Sequence, residues 1–164
     1  MIQVSVVMGS KSDLEVMEEC LKQLQYFNIA YEVRILSAHR TPVETHAYAN
    51  TLRERGVKVV VAAAGGAAHL AGVIAGTTTI PVIGVPIESK ALKGMDSLLS
   101  IVQMPKGIPV ATVAIGKAGA GNAAILAAEM LGIADPDVAK RLAMFKKEMA
   151  EKVLKDSFVE SYEG

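Results

Sequence analysis

The sequence predicts a single α/β domain organised around a five-stranded parallel sheet. Short runs rich in Val and Ile alternate with longer segments of helical period, and two of those runs are apolar almost without a break. At 164 residues the chain is long enough to bury one core. No internal repeat, low-complexity tract or long linker marks a second domain.

Each element has its own signal. The run 2–8 contains Val4-Ser5-Val6-Val7-Met8, the pattern of a strand covered by helices on both faces. A helix over 12–26 follows, with Leu14, Met17, Leu21 and Leu24 at helical spacing. Ser12-Asp13-Leu14-Glu15 matches a capping box at its start. Cys20 falls inside this pattern and is the only cysteine, so no intramolecular disulfide can form; a buried thiol and a reducing compartment are expected.

The run 31–36 is the second strand. Thr41-Pro42-Val43-Glu44 opens a helix over 42–55 with a second capping box and proline at its first position. Val57-Lys58-Val59-Val60-Val61 marks the third strand, 57–63. In the helix 67–76, Gly72 and Gly76 stand one turn apart and are expected to permit close packing. Strand 81–85, helix 94–102, strand 108–115 and helix 118–131 complete the alternation. A last helix near 136–156 repeats Val138, Leu142, Phe145, Met149 and Val153 among Lys and Glu. Its apolar stripe suits either the protein's own sheet or a neighbouring subunit.

Composition excludes several functions. Lys plus Arg (17) equals Asp plus Glu (17), so there is no basic field for nucleic acid. Apolar residues reach 51% while aromatics are 4%, more apolar content than one core is expected to hide, so self-association is expected. The opening MIQVSVVMGS lacks the pattern of a secretory leader and no run of membrane-spanning length occurs, which predicts a cytoplasmic protein without membrane contact.

Ligands of open parallel sheets bind beyond the carboxyl ends of the strands, and three loops qualify. In Met8-Gly9-Ser10-Lys11-Ser12-Asp13, Gly9 permits a tight turn. Ser10 and Ser12 sit beside the free N–H groups of a helix start, a setting for phosphate, and Asp13 can accept from sugar hydroxyls. Simple N-capping by Ser12 would also explain this loop, whereas Ser10 is read as having no capping duty. In Ser37-Ala38-His39-Arg40, the Arg40 fork suits a phosphate, Ser37 adds a hydroxyl, and His39 can give and take a proton near neutrality; a solvated loop is the plain alternative. His46, within a helix and without a motif, reads as surface. In the third loop, 62–69, glycines and alanines leave room for a flat ring against backbone, and His69 either borders the pocket or serves structure.

Several motifs are absent. Gly116-Lys117-Ala118-Gly119-Ala120-Gly121 reverses the dinucleotide fingerprint, and neither a P-loop nor a nucleophile elbow occurs. No Cys pair, helical His pair or carboxylate cluster suggests a metal site.

Taken together, MGSKSD, SAHRTP, AGGAAHL and the stretch 94–124 resemble the N5-carboxyaminoimidazole ribonucleotide mutase family, the bacterial-type phosphoribosylaminoimidazole carboxylase catalytic subunit of purine biosynthesis. The resemblance implies a flavodoxin-like, three-layer α/β/α fold assembled as a homo-octamer with active sites at subunit contacts. It implies one domain over 1–164, with 136–164 as a C-terminal helical extension packing in the oligomer. His39 would be the general acid/base, Ser10, Ser12, Asp13, Ser37 and Arg40 would hold the ribose phosphate, and Ala64 and Gly65 would line the base. The implied reaction moves a carboxyl group from the exocyclic nitrogen to ring C4 by decarboxylation and recapture, with a small ribonucleotide as partner and no metal, biotin or ATP.

The chain departs from the family at Leu14, where relatives often carry Trp, and at Ala71, where Pro is usual; sugar-side packing and the start of that helix are the features affected. Two other readings stand beside the mutase. A carboxylase that takes free CO2 resembles SAHK rather than SAHR, and a noncatalytic nucleotide-binding module would keep the fold without needing His39.

Overall fold

The computed structural model describes residues 1–157; residues 158–164 of the expected C-terminal extension lie outside the described residues. Five parallel strands, β1 (Val4–Met8), β2 (Tyr31–Ile35), β3 (Val59–Gly65), β4 (Val82–Ile87) and β5 (Ala111–Thr112), form one sheet in the order β2-β1-β3-β4-β5. This is the flavodoxin-like order. Helices α1 (Leu14–Tyr26) and α5 (Lys117–Gly132) cover one face, with α6 (Pro136–Lys155) laid on α5. Helices α2 (Pro42–Thr51), α3 (Leu70–Thr77) and α4 (Met95–Val102) cover the other.

The apolar runs of β1 and β3 now have their cause. Both strands lie between two neighbours and beneath helices on each side, so every residue from Val4 to Met8 and from Val59 to Ala64 is buried. Val4 pairs with Tyr31 and Val59, and Met8 with Ile35 and Ala63. The carboxyl ends of β1 and β2 therefore finish level, and β3 runs two residues farther, to Gly65. The chain leaves β1 toward β2 on one side and reaches β3 on the other, a switch point that opens a crevice between the loops.

Some boundaries move. β5 has two residues instead of the predicted 108–115, because Pro109 has no N–H to offer and an edge strand bonds one neighbour only; just Ala111 and Thr112 pair, with Ile83 and Gly84. A Cβ on Gly72 would come within 3.1 Å of Met104 Sδ, so that glycine does mark close packing, whereas Gly76 faces open space, contrary to the sequence reading. Cys20 is fully buried, and burial pushes its thiol up to about 12, leaving it inert as expected.

The stripe of α6 is buried in the chain's own core only along its first half. Val138 and Leu142 are buried in the chain's own core, and the Phe145 ring stands edge to face with Tyr26 and Phe27 at 5.5 and 5.4 Å. Farther along, Met149 and Val153 are exposed. Among the described residues, no helix is long and apolar enough to cross a membrane.

Candidate active site

The first loop begins at Gly9, whose N–H donates to the Ala63 carbonyl at 3.1 Å and ties it to β3. The chain then makes one 3-10 turn, Lys11–Asp13, before α1. That added turn moves the capping box upstream of the predicted one at Ser12. Ser10 is the cap: its Oγ accepts from Ser12 N (3.4 Å), and Asp13 Oδ2 accepts from Ser10 N (3.1 Å). Ser10 therefore has the capping duty the sequence reading denied it. Ser12 is exposed and outside the cavity, connected to it through a 2.9 Å bond from its hydroxyl to Ser10 Oγ. Burial raises the Asp13 carboxyl above the ordinary carboxylate value, while the Ser10 N–H and Arg40 pull it back.

The second loop follows β2. Ser37 Oγ accepts from the Arg40 backbone N–H (3.1 Å) and from Arg40 Nε (3.3 Å), and Arg40 Nη2 donates to the Gly9 carbonyl at 2.8 Å. One guanidinium thus bridges the first two loops. Thr41 precedes α2, yet its side chain caps no helix N–H and the predicted box with Glu44 does not form. Its hydroxyl is engaged with Ser37 instead, accepting from Ser37 N at 2.9 Å and positioned to donate to Ser37 O at 3.1 Å.

The third loop follows β3. Gly66 has φ of +67°, where glycine is at ease, and its N–H donates to the buried Ser97 hydroxyl on α4 at 2.8 Å. Short-range bonds from Ala68 and His69 N–H groups back to Gly66 and Ala67 delay α3 until Leu70, three residues after its predicted start. His69 sits immediately before the helix. Its Nδ1 lies 2.8 Å from His39 Nε2, a hydrogen bond in which one ring donates and the other accepts.

These loops enclose a cavity of about 310 Å³. Of the predicted residues, Ser10, Asp13, Ser37, His39, Arg40, Ala64, Gly65 and His69 line it, and Ser12 does not. Among the described residues, Asp13 is its sole carboxylate. Gly9, read only as a turn former, and Ala67, read only as part of the loop 62–69, also line it, and the sequence reading missed Ala38 and Leu70, which supply apolar wall without any chemical signal of their own. His46 is exposed, as read, beside Thr77 Oγ1 at 3.0 Å. A second hollow, about 560 Å³, lies between Ala75–Val82 and Gly107–Pro109 and is lined, among the described residues, by no titratable side chain. Among the described residues no group of three or more His, Cys, Asp or Glu is placed to hold a metal ion.

A guanidinium fork, a hydrogen-bonded imidazole pair and a capped turn thus share one cavity. A family model described as AIR carboxylase matches residues 3–152. The chain belongs to the AIR carboxylase family. Similar curated proteins are named N5-carboxyaminoimidazole ribonucleotide mutase. That of Pyrococcus abyssi is 58% identical over 149 residues, 91% of this chain and 84% of its own. That of Bacillus subtilis is 55% identical over 154 residues, 94% of this chain and 95% of its own. The crystal structure of Treponema denticola PurE superposes with a TM-score of 0.85 at 28% identity, covering 95% of this chain and 96% of that one. All the cavity-lining residues fall inside the span matched by the AIR carboxylase model.

Proposed function

We propose that this AIR carboxylase family member is an N5-carboxyaminoimidazole ribonucleotide mutase of purine biosynthesis, an isomerase that moves a carboxyl group from the exocyclic nitrogen to ring C4. The observation that carries the reading is the placement of His39 and Arg40 on the cavity that also holds Ser10 and Asp13, with Arg40 tied to the Gly9 carbonyl. Relatives above half identity that carry this name support the mutase over a carboxylase using free CO2, as does Arg40 in place of Lys.

In this reading Arg40, Ser37 and the Ser10 turn hold the ribose phosphate, and Asp13 accepts from sugar hydroxyls. Ser12 acts only through Ser10. The backbone of Ala64 and Gly65 lies along the base. His39 starts as the imidazolium and protonates the exocyclic nitrogen as its bond to the carboxyl carbon breaks and CO2 leaves. C4 then attacks CO2, and neutral His39 removes the C4 proton, restoring both the aromatic ring and the imidazolium. Protons balance over the cycle, so one histidine serves both steps. Holding CO2 against the ring makes its recapture effectively unimolecular.

The same reading includes a homo-octamer with sites at subunit contacts, a cytoplasmic location, and no cofactor. Leu92, Met95, Leu99 and Val102 support the assembly: they repeat at helical spacing on and just before α4 and are 46–59% exposed in the single chain.

The deciding experiment offers the purified protein fresh N5-carboxyaminoimidazole ribonucleotide or, separately, aminoimidazole ribonucleotide with limiting bicarbonate, followed by ultraviolet absorbance. Rapid conversion of the first alone is expected. Efficient use of the second at low bicarbonate would make it a CO2-dependent carboxylase, and silence with both would favour a binding module.

A further inference from the structure

The turn that carries His39 and Arg40 is held from below by two hydroxyls that the reaction does not use. Thr41 is the N-cap residue of α2, a position where a threonine hydroxyl ordinarily accepts from a helix N–H, yet it makes no such bond. It closes onto Ser37 instead. The Ser37 carbonyl faces Thr41 N at 2.9 Å and Thr41 Oγ1 at 3.1 Å, while Ser37 N donates to Thr41 Oγ1 at 2.9 Å.

Thr45, one turn into α2, is wholly buried, although a hydroxyl in a helix interior gains little from that position. Its Oγ1 donates to the Thr41 carbonyl at 2.7 Å and has the Ser37 carbonyl as a weaker second acceptor at 3.3 Å. The two threonines therefore fasten both ends of the segment Ser37–Thr41 to the first turn of α2. Within that segment the same Ser37 holds Arg40 by its backbone N–H and its Nε. A forgone cap and a buried hydroxyl, both directed at one turn, are features that helix formation alone does not require.

We propose that Thr41 and Thr45 are positioning residues, fixing the Ser37–Thr41 turn so that the His39 imidazole and the Arg40 fork face the cavity together before any ligand arrives. The proposal rests on the reading of His39 and Arg40 as site residues, and it is deepened here to the residues that orient them. Pre-organisation of this kind lowers the cost of ordering the turn around a bound phosphate.

The test uses the full chain, three test variants with His39→Asn for assignment, and two readouts. Thr45→Val keeps the shape and removes the hydroxyl, Thr45→Ser restores it, and Leu52→Ala, in the core behind α2, serves as a purely destabilising control. The first readout is the imidazole NMR signal of His39 without ligand, identified by its loss in His39→Asn among only three histidines. The second is the dissociation constant of ribose 5-phosphate by calorimetry.

Thr45→Val is expected to displace the His39 signal and to weaken ribose 5-phosphate binding roughly three- to tenfold, the range for one lost neutral hydrogen bond. Thr45→Ser should restore both, and Leu52→Ala should lower the melting temperature without moving either. Wild-type values in Thr45→Val, whatever its melting temperature, would overturn the proposal. If the wild type itself fails to bind ribose 5-phosphate, the functional reading falls, and the ligand-free His39 signal still decides the role of Thr45.

Discussion

His39 Nε2 stands 2.8 Å from His69 Nδ1, with the rings edge to face and their centroids 4.9 Å apart. Two imidazoles at this distance share a single proton between those nitrogens, so the tautomer of one fixes that of the other. Replacing His39 by Asn is expected to reduce kcat by roughly 10²- to 10⁴-fold while substrate affinity stays within about tenfold. His69→Ala removes the partner and leaves the His39 imidazole, proposed as the acid/base, so a smaller loss of about tenfold is expected. Steady-state kinetics with parallel calorimetry checks both; an equal loss in the two variants would make His69 a second proton carrier.

Arg40 spends one N–H on Gly9 and another on Ser37. Arg40→Ala removes the bridge between two loops and, under the proposed function, a charge-assisted contact to phosphate, and should weaken substrate binding by about 2 kcal/mol or more. A calorimetric isotherm matching the wild type would take Arg40 out of the phosphate site.

Near the amino end of β2, Glu32 receives two bonds from Arg55 (3.0 and 2.8 Å) and one from Tyr48 at 2.7 Å, and Tyr48 also meets the buried Ser5 hydroxyl. Arg55 chiefly, helped by Tyr48, holds the Glu32 carboxyl down at about 2, against an ordinary 4.5. A folded-state value below the unfolded one contributes stability above pH 4.5, and that contribution fades as pH falls toward 2. Glu32→Gln should therefore cost about 1–3 kcal/mol in urea unfolding at pH 7, with the gap to wild type narrowing below pH 4.5. A gap that does not depend on pH would assign the loss to packing.

Two glycines of α5 should respond in opposite ways. A Cβ at Gly119 would collide with the Ala114 carbonyl, whereas one at Gly121 would meet nothing within 4 Å. Gly119→Ala should destabilise by about 1–3 kcal/mol or prevent folding, and Gly121→Ala should stabilise by roughly 0.5–1 kcal/mol through helix propensity. Thermal melts of the two variants make the comparison.

Leu99 is 49% exposed at the centre of the α4 stripe. If that stripe is an assembly surface, Leu99→Glu should yield a smaller particle by light scattering, with folding kept. Identical particle sizes for variant and wild type would place the assembly contacts elsewhere.

Local chemistry determined much of this protein from the sequence alone. Unbroken apolar runs marked β1 and β3 because a strand covered on both faces has no polar side, and Pro42 set the start of α2 because its ring fits the first helical position. SAHRTP pointed to Arg40 and His39 because fork and imidazole chemistry belong to the residues themselves. Tertiary structure decided what depended on neighbours. The shortness of β5 follows from a sheet edge, and the diversion of Thr41 from its cap follows from Ser37 arriving beside it. The shift of the first box from Ser12 to Ser10 required a 3-10 turn that the same S-x-x-acid spacing leaves open. Above all, His39 and His69 lie 30 positions apart in the chain, and only the folding together of the loops after β2 and β3, the two neighbours of β1, brings them to hydrogen-bond distance. Periodicity records which face of an element is buried, whereas contacts between loops depend on the order in which strands join the sheet.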